Sequence, residues 1–243
     1  FKYPNAEENV LEHISFKALP GETVAFIGST GSGKSTIVKL IPRLFDVSDG
    51  SITYGDHDIR DYSQKDLRDH IGYVTQKAVL FKGTIKSNIE FGEKIDEAAL
   101  NSAIDIAQAR EIISEKELGV EEPITQGGTN VSGGQKQRIS IARALAKRDA
   151  NIFIFDDSFS ALDYKTDKKL RDELAKMIEK KKSTVLIVAQ RISTIKNADK
   201  IIVLDEGKIV GMGKHSELMK DCDVYKEIAY SQLSKEELED ACA

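Results

Sequence analysis

The chain has 243 residues, 40% hydrophobic and 31% charged, with a net charge of −5 at neutral pH, which suits one large domain able to bury a sizeable core. No stretch approaches the roughly eighteen apolar residues that a membrane-crossing helix needs. The acids are spread along the chain, so there is no electrostatic footprint for nucleic acid. In chain order, residues 12–17 and 51–54 read as strands of a separate antiparallel patch. Residues 23–27 form an apolar run rich in Val, Ile and Phe, as a strand buried on both faces should be. From residue 96 to about 117 the pattern turns helical, with Asp96 as N-cap and Leu100, Ala103, Ile104 and Ala107 on one face. This stretch belongs to a helical lobe inserted over about 77–134. Three more apolar runs, 151–155, 184–189 and 201–204, complete the pattern of a mostly parallel sheet covered by helices. Residues 205–208, DEGK, form a hairpin turn in which Gly207 supplies positive φ. The lysine-rich stretch 176–182 ends a helix, where cations favour the dipole. An acidic tail runs over 231–243, with at most a short helix at 234–240. Phe1 in place of Met leads us to expect a piece of a longer protein.

Three motifs carry chemistry. Gly28, Ser29, Thr30, Gly31, Ser32, Gly33, Lys34, Ser35 and Thr36 follow a strand and open a helix, the context that a phosphate-binding loop requires. The glycines let backbone N–H groups face phosphate oxygens, and the helix N-terminus adds partial positive charge. Lys34 should reach the β- and γ-phosphates of ATP, and the Ser35 hydroxyl should ligate Mg²⁺. The second motif is the strand 152–155 delivering Asp156 to the same sheet edge, where its carboxylate should hold Mg²⁺ directly or through water. The third is Ser132, Gly133, Gly134 and Gln135, small residues opening a helix with Ile139, Ala142 and Leu145 on one side, a second anion-binding N-terminus. His13, His57, His70 and His215 have no metal-ligand spacing, and His215 is expected at a helix start. Cys222 and Cys242 form no metal or redox pair.

The chain resembles the nucleotide-binding domain of ATP-binding cassette (ABC) transporters, of the bacterial multidrug-exporter type, over nearly its whole length. The resemblance implies an α/β fold: a P-loop NTPase (RecA-like) core, an antiparallel β subdomain and an inserted α-helical subdomain in one domain, 1–243. It implies that Tyr3 in FKYP stacks on adenine, that Gln76 in YVTQ acts between core and lobe as a metal and catalytic residue, and that VSGGQ is the signature. SALD, residues 160–163, is similar to the loop that crosses the dimer interface, and LFKGTIKSNI, 80–89, to the exporter-type segment after the glutamine. In that family two domains pair head to tail, each ATP lying between the phosphate loop of one and the signature helix of the other. The implied partners are therefore a second nucleotide-binding domain and the coupling helices of a transmembrane domain, at the cytoplasmic face of the cell membrane.

Departures from the family pattern fall in the catalytic residues. Asp157 stands where the family usually has a glutamate that polarises the attacking water, one methylene short. Gln190 replaces a histidine that contacts the γ-phosphate; glutamine can hydrogen-bond a phosphate but carries no titratable proton. Gln126 stands where exporters often carry a glutamate. Misplacing a positioned base costs roughly 10²- to 10⁴-fold in rate, so slow hydrolysis is expected. An impaired phosphate side beside an intact signature is the pattern of one half of a heterodimeric exporter. Three alternatives stay open: a fully active homodimeric ATPase, a non-hydrolysing regulatory module, and a soluble ABC ATPase unconnected to transport.

Overall fold

The computed structural model describes residues 1–233. Of the tail expected over 231–243 only the first three residues fall within this range, and the short helix at 234–240 and Cys242 lie outside it. In chain order, β1 (Thr23–Gly28) leads to α1 (Lys34–Leu40), then to β2 (Thr53–Tyr54), β3 (His57–Asp58) and α2 (Gln64–Asp69). Next come β4 (Ile71–Val74), β5 (Gly83–Thr84), α3 (Ile85–Glu90), α4 (Glu97–Ile106), α5 (Arg110–Ser114) and β6 (Pro123–Ile124). They are followed by α6 (Gly133–Ala146), β7 (Ile152–Asp156), α7 (Tyr164–Lys181), β8 (Thr184–Val188) and α8 (Ile192–Ile195). The described chain closes with β9 (Lys200–Asp205), β10 (Lys208–Gly213), α9 (His215–Asp221) and α10 (Asp223–Tyr230). It divides into two compact units, Phe1–Arg68 with the chain from Thr184 onward, and Asp69–Ser183.

In the first unit β1 runs parallel to β8 and β9, and β10 lies antiparallel against β9. Val24, Ala25, Phe26 and Ile27 are at most 1% exposed, which is why this strand reads as an unbroken apolar run rather than an alternating one. α10 packs on β1 and β9, anchored by the fully buried Tyr225 and Ala229. The DEGK turn joins β9 to β10 as expected, with both central residues left-handed, Glu206 at φ 43° and Gly207 at φ 76°. That is the twist a two-residue hairpin needs. A Cβ at Gly207 would also come within 2.3 Å of the Val10 carbonyl oxygen.

The strand expected at 12–17 is absent. Its side chains do alternate between half-buried and exposed, and Phe16 packs edge-on against Phe26 at 5.4 Å. The backbone, however, turns left-handed at His13, φ 52°, and no ladder forms; the Glu12 amide instead donates to the Gly207 carbonyl at 2.9 Å. The expectation for 51–54 narrows to β2, paired with β3 over two residues each.

In the second unit β4 pairs in parallel with β7, Ile71 opposite Ile152, and α6 packs on α3, α4 and β4. Gly72 permits this closeness: a Cβ there would meet the Phe153 ring at 2.7 Å and the Ala144 carbonyl oxygen at 2.8 Å. The helical stretch expected from 96 to about 117 consists of two helices, α4 and α5. Asp96 caps α4 by accepting from the Ala99 amide at 2.7 Å, and Leu100, Ala103, Ile104 and Ala107 are all buried. The chain then breaks at Gln108, φ 56°, whose carbonyl accepts from the Arg138 guanidinium at 3.0 Å. α5 starts after that break.

Candidate functional site

The phosphate loop lies between β1 and α1. Its conformation depends on glycine at two points. A Cβ at Gly28, φ 151°, would fall 2.0 Å from the Leu204 carbonyl oxygen, and one at Gly33, φ 97°, would fall 2.5 Å from the Leu11 side chain. Gly31, φ 87°, has nothing within 4 Å of its Cβ position, so this stretch of backbone stands open for a close approach. Lys34 is buried, and its ammonium donates to the carbonyls of Gly28 at 2.9 Å and Ser29 at 2.6 Å and to Ser32 Oγ at 3.2 Å. The loop is thus curled around one cation ahead of a helix N-terminus, a geometry suited to a polyphosphate.

Tyr3 is tied to the same helix. Its hydroxyl lies 3.0 Å from Thr36 Oγ1, and its ring meets Phe1 and Phe45 edge-on, each at 5.0 Å. These three rings line a groove of about 500 Å³ with Pro4, Asn5 and Ser48. Gln190 follows β8 and is exposed. Its carbonyl accepts from the Gln232 amide at 2.8 Å.

The carboxylates sit at the end of β7 in the second unit. Asp156 is 3% exposed and Asp157 7% exposed. Asp156 Oδ2 accepts from the Tyr73 hydroxyl at 3.3 Å, and Asp157 Oδ2 accepts from Gln76 Nε2 at 3.1 Å. Asp157 is left-handed, φ 48°, and its carbonyl accepts from Ser160 Oγ at 2.8 Å. Buried carboxylates are retained only where hydrogen bonds or charge compensate them, and hard oxygen donors of this kind suit Mg²⁺.

Ser132 caps α6: its Oγ accepts from the Gln135 amide at 3.2 Å, while Gln135 Oε1 accepts from the Ser132 amide at 3.0 Å. This reciprocal box fixes the first turn and leaves the serine proton available as a donor. Gly134 is close-packed, with its Cβ position 3.3 Å from the Ala161 carbonyl oxygen, whereas nothing lies within 4 Å of Gly133's. Asp163, the last residue of SALD, caps α7. Accepting from Thr166 holds its carboxyl below the usual carboxylate range. In the loop before α6, Asn130 binds both the amide and the hydroxyl of Thr125 and the carbonyl of Pro123, and Gln126 in the same loop is exposed.

Within each unit, then, the loop residues gather with Tyr3, and Gln76 gathers with Asp157. Sequence reasoning did not reveal the Tyr73 bond to Asp156, the Thr36 bond to Tyr3 or the Gln232 bond to Gln190. These partners lie 83, 33 and 42 residues apart, and no local pattern marks them.

Residues 11–160 match the family model described as ABC transporter. An uncharacterized ABC transporter ATP-binding protein of Mycobacterium bovis is 44% identical over 236 residues, 96% of this chain and 40% of its own length. An ATP-dependent lipid A-core flippase of Vibrio vulnificus is 42% identical over 237 residues, 97% of this chain and 39% of its own length. The solved structure of a bacterial Atm1-family ABC exporter with ATP bound matches at a TM-score of 0.90 and 33% identity, covering 97% of this chain and 41% of that one. The chain spans about 40% of the length of the curated relatives it matches. Its parallel strands, antiparallel pairs and helices form the P-loop NTPase fold of these proteins. On the family match and the shared fold together, the chain belongs to the ABC transporter family.

Proposed function

We propose that this chain is the nucleotide-binding domain of an ABC exporter, with 77–134 as its helical lobe. It works at the cytoplasmic face of a membrane against the coupling helices of a transmembrane domain, and pairs head to tail with a second, different nucleotide-binding domain. The relatives named as a flippase and an exporter support the transport role. In this reading the chain's own site binds MgATP and turns it over slowly, while Ser132, Gly133, Gly134 and Gln135 complete the partner's competent site.

Each residue has a part in this. Tyr3 stacks on adenine, the backbone from Gly28 to Thr36 surrounds the phosphates, and Lys34 reaches the β- and γ-phosphates. Ser35, Asp156 and Gln76 would hold the magnesium ion, which supplies positive charge against the phosphate oxygens. Asp157 orients water, and Gln190 donates a hydrogen bond toward the γ-phosphate. The slow-turnover reading is carried by Asp157: buried, one methylene shorter than glutamate, and with its carboxylate accepting from Gln76 at 3.1 Å. A second reading, a homodimer with full turnover, is favoured by the carboxylate retained at that position.

The two-domain assembly tests the proposal. After incubation with MgATP and washing, one unhydrolysed ATP should remain per pair of domains, and Lys34→Ala in this chain should remove it. Complete conversion to ADP, or retention untouched by Lys34→Ala, would count against the reading.

A further inference from the structure

A side chain from the far end of the described chain grips the turn after β8. Gln232 follows α10, its backbone fixed by the Ala229 carbonyl, which accepts from the amides of Gln232 at 3.0 Å and Leu233 at 2.9 Å. Its side-chain amide spans the turn. Gln232 Oε1 accepts from the Ile192 amide at 2.9 Å, and Gln232 Nε2 donates to the Gln190 carbonyl at 2.8 Å. Ile192 is the first residue of α8, whose N-cap Arg191 makes no side-chain capping bond, so Gln232 satisfies a helix-start N–H that the local sequence leaves without a cap. The pairing also fixes which end of the amide is oxygen, because one partner can only donate and the other only accept. On its other side the turn is joined to the core by the Ala189 amide, which donates to the Phe26 carbonyl at 3.1 Å.

We propose that Gln232 is a positioning residue for Gln190: by gripping the backbone on both sides of Arg191 it fixes the direction of the Gln190 side chain, and so sets how well that amide meets a terminal phosphate. Because α10 is seated on β1 and β9, the grip ties the turn to the strand that feeds the phosphate loop. The C-terminal segment thereby becomes part of the device that tells a nucleoside triphosphate from a diphosphate. This rests on the reading of Gln190 as a γ-phosphate contact. Gln232 itself has no part in phosphate binding. Its loss should therefore leave diphosphate affinity alone.

The test measures affinity for MgAMP-PNP and MgADP in the full chain, with residue-specific amide exchange at Ile192. Gln190→Ala should cut the preference for AMP-PNP over ADP by about 10-fold, the size expected for a hydrogen bond to a charged group. Gln232→Ala, at an exposed position, should cut it by about 5-fold, leave ADP binding unchanged, speed Ile192 exchange, and add nothing in the Gln190→Ala background. Gln232→Glu should keep Ile192 protected, since a carboxylate still accepts, yet lose the preference, since it repels the Gln190 carbonyl. Full preference in Gln232→Ala beside a loss in Gln190→Ala, independent multiplying losses, or unchanged Ile192 exchange would overturn the positioning role alone. Full preference in Gln190→Ala would overturn the reading of Gln190 and the positioning role with it.

Discussion

Lys34 shows how a local sequence can build a binding feature. Its ammonium is held by three oxygens from Gly28, Ser29 and Ser32, all within six residues, and the glycines that permit the curl are adjacent. That is why the loop is legible from sequence, whereas Gln76 and Asp157, 81 residues apart, can be read only as separate motifs until the fold joins them. Tyr3 lies between these cases: its neighbours FKYP suggest a role, but only the structure supplies its bond to Thr36. Replacing Tyr3 with Phe keeps the ring and removes that bond, so stability should fall by about 1 kcal/mol while MgATP affinity stays within about 3-fold. Tyr3→Ala should lower affinity by about 10-fold, because base stacking on an aromatic is worth about 1–3 kcal/mol. Denaturant titration and equilibrium nucleotide binding would check the two. Equal affinities for the two variants would exclude stacking.

Among the elements, α6 joins Ser132 and Gln135, the proposed signature, to the rest of its unit, and Arg143 near its C-terminal end is the strut. Its guanidinium donates to the carbonyls of Asn88 and Val79 and to Asn88 Oδ1, and lies 5.3 Å from the Phe81 ring and 4.9 Å from the Phe91 ring. Burial lowers its pKa to about 10, so it stays charged at neutral pH and depends on these partners. Arg143→Ala should destabilise the chain by about 2–4 kcal/mol, because it strands carbonyls that a charged donor satisfied and removes two ring contacts. Chemical denaturation would measure this, and a loss below about 1 kcal/mol would show the strut to be idle. The elements that sequence identified are those whose burial is simple: β1, β7, β8 and β9 each carry an unbroken apolar run along their middle. β4 escaped because Gly72 interrupts it, and Gly72 is there so that α6 and Phe153 can approach. The break at Gln108 has no glycine or proline to announce it, and residues 12–17 alternate like a strand without a neighbour to pair with.

For the whole molecule, Phe1–Arg68 with the chain from Thr184 onward holds the phosphate loop, and Asp69–Ser183 holds the carboxylates and the helix that opens at Ser132. Family membership rests on the match over residues 11–160 and on the shared fold. The proposed slow turnover and different partner rest on two side chains, Asp157 and Gln190, whose consequences would appear only in an assembled pair. The most direct measurement is MgATP turnover by this chain, alone and with the partner domain, compared with the Asp157→Glu, Gln190→His double variant. Turnover should be near zero for the chain alone and rise when the partner is added, and the double variant should gain about 10²-fold or more in single-turnover rate. Robust turnover by the unaltered chain alone, with no gain in the double variant, would contradict the slow-turnover proposal and make a homodimeric motor the better description.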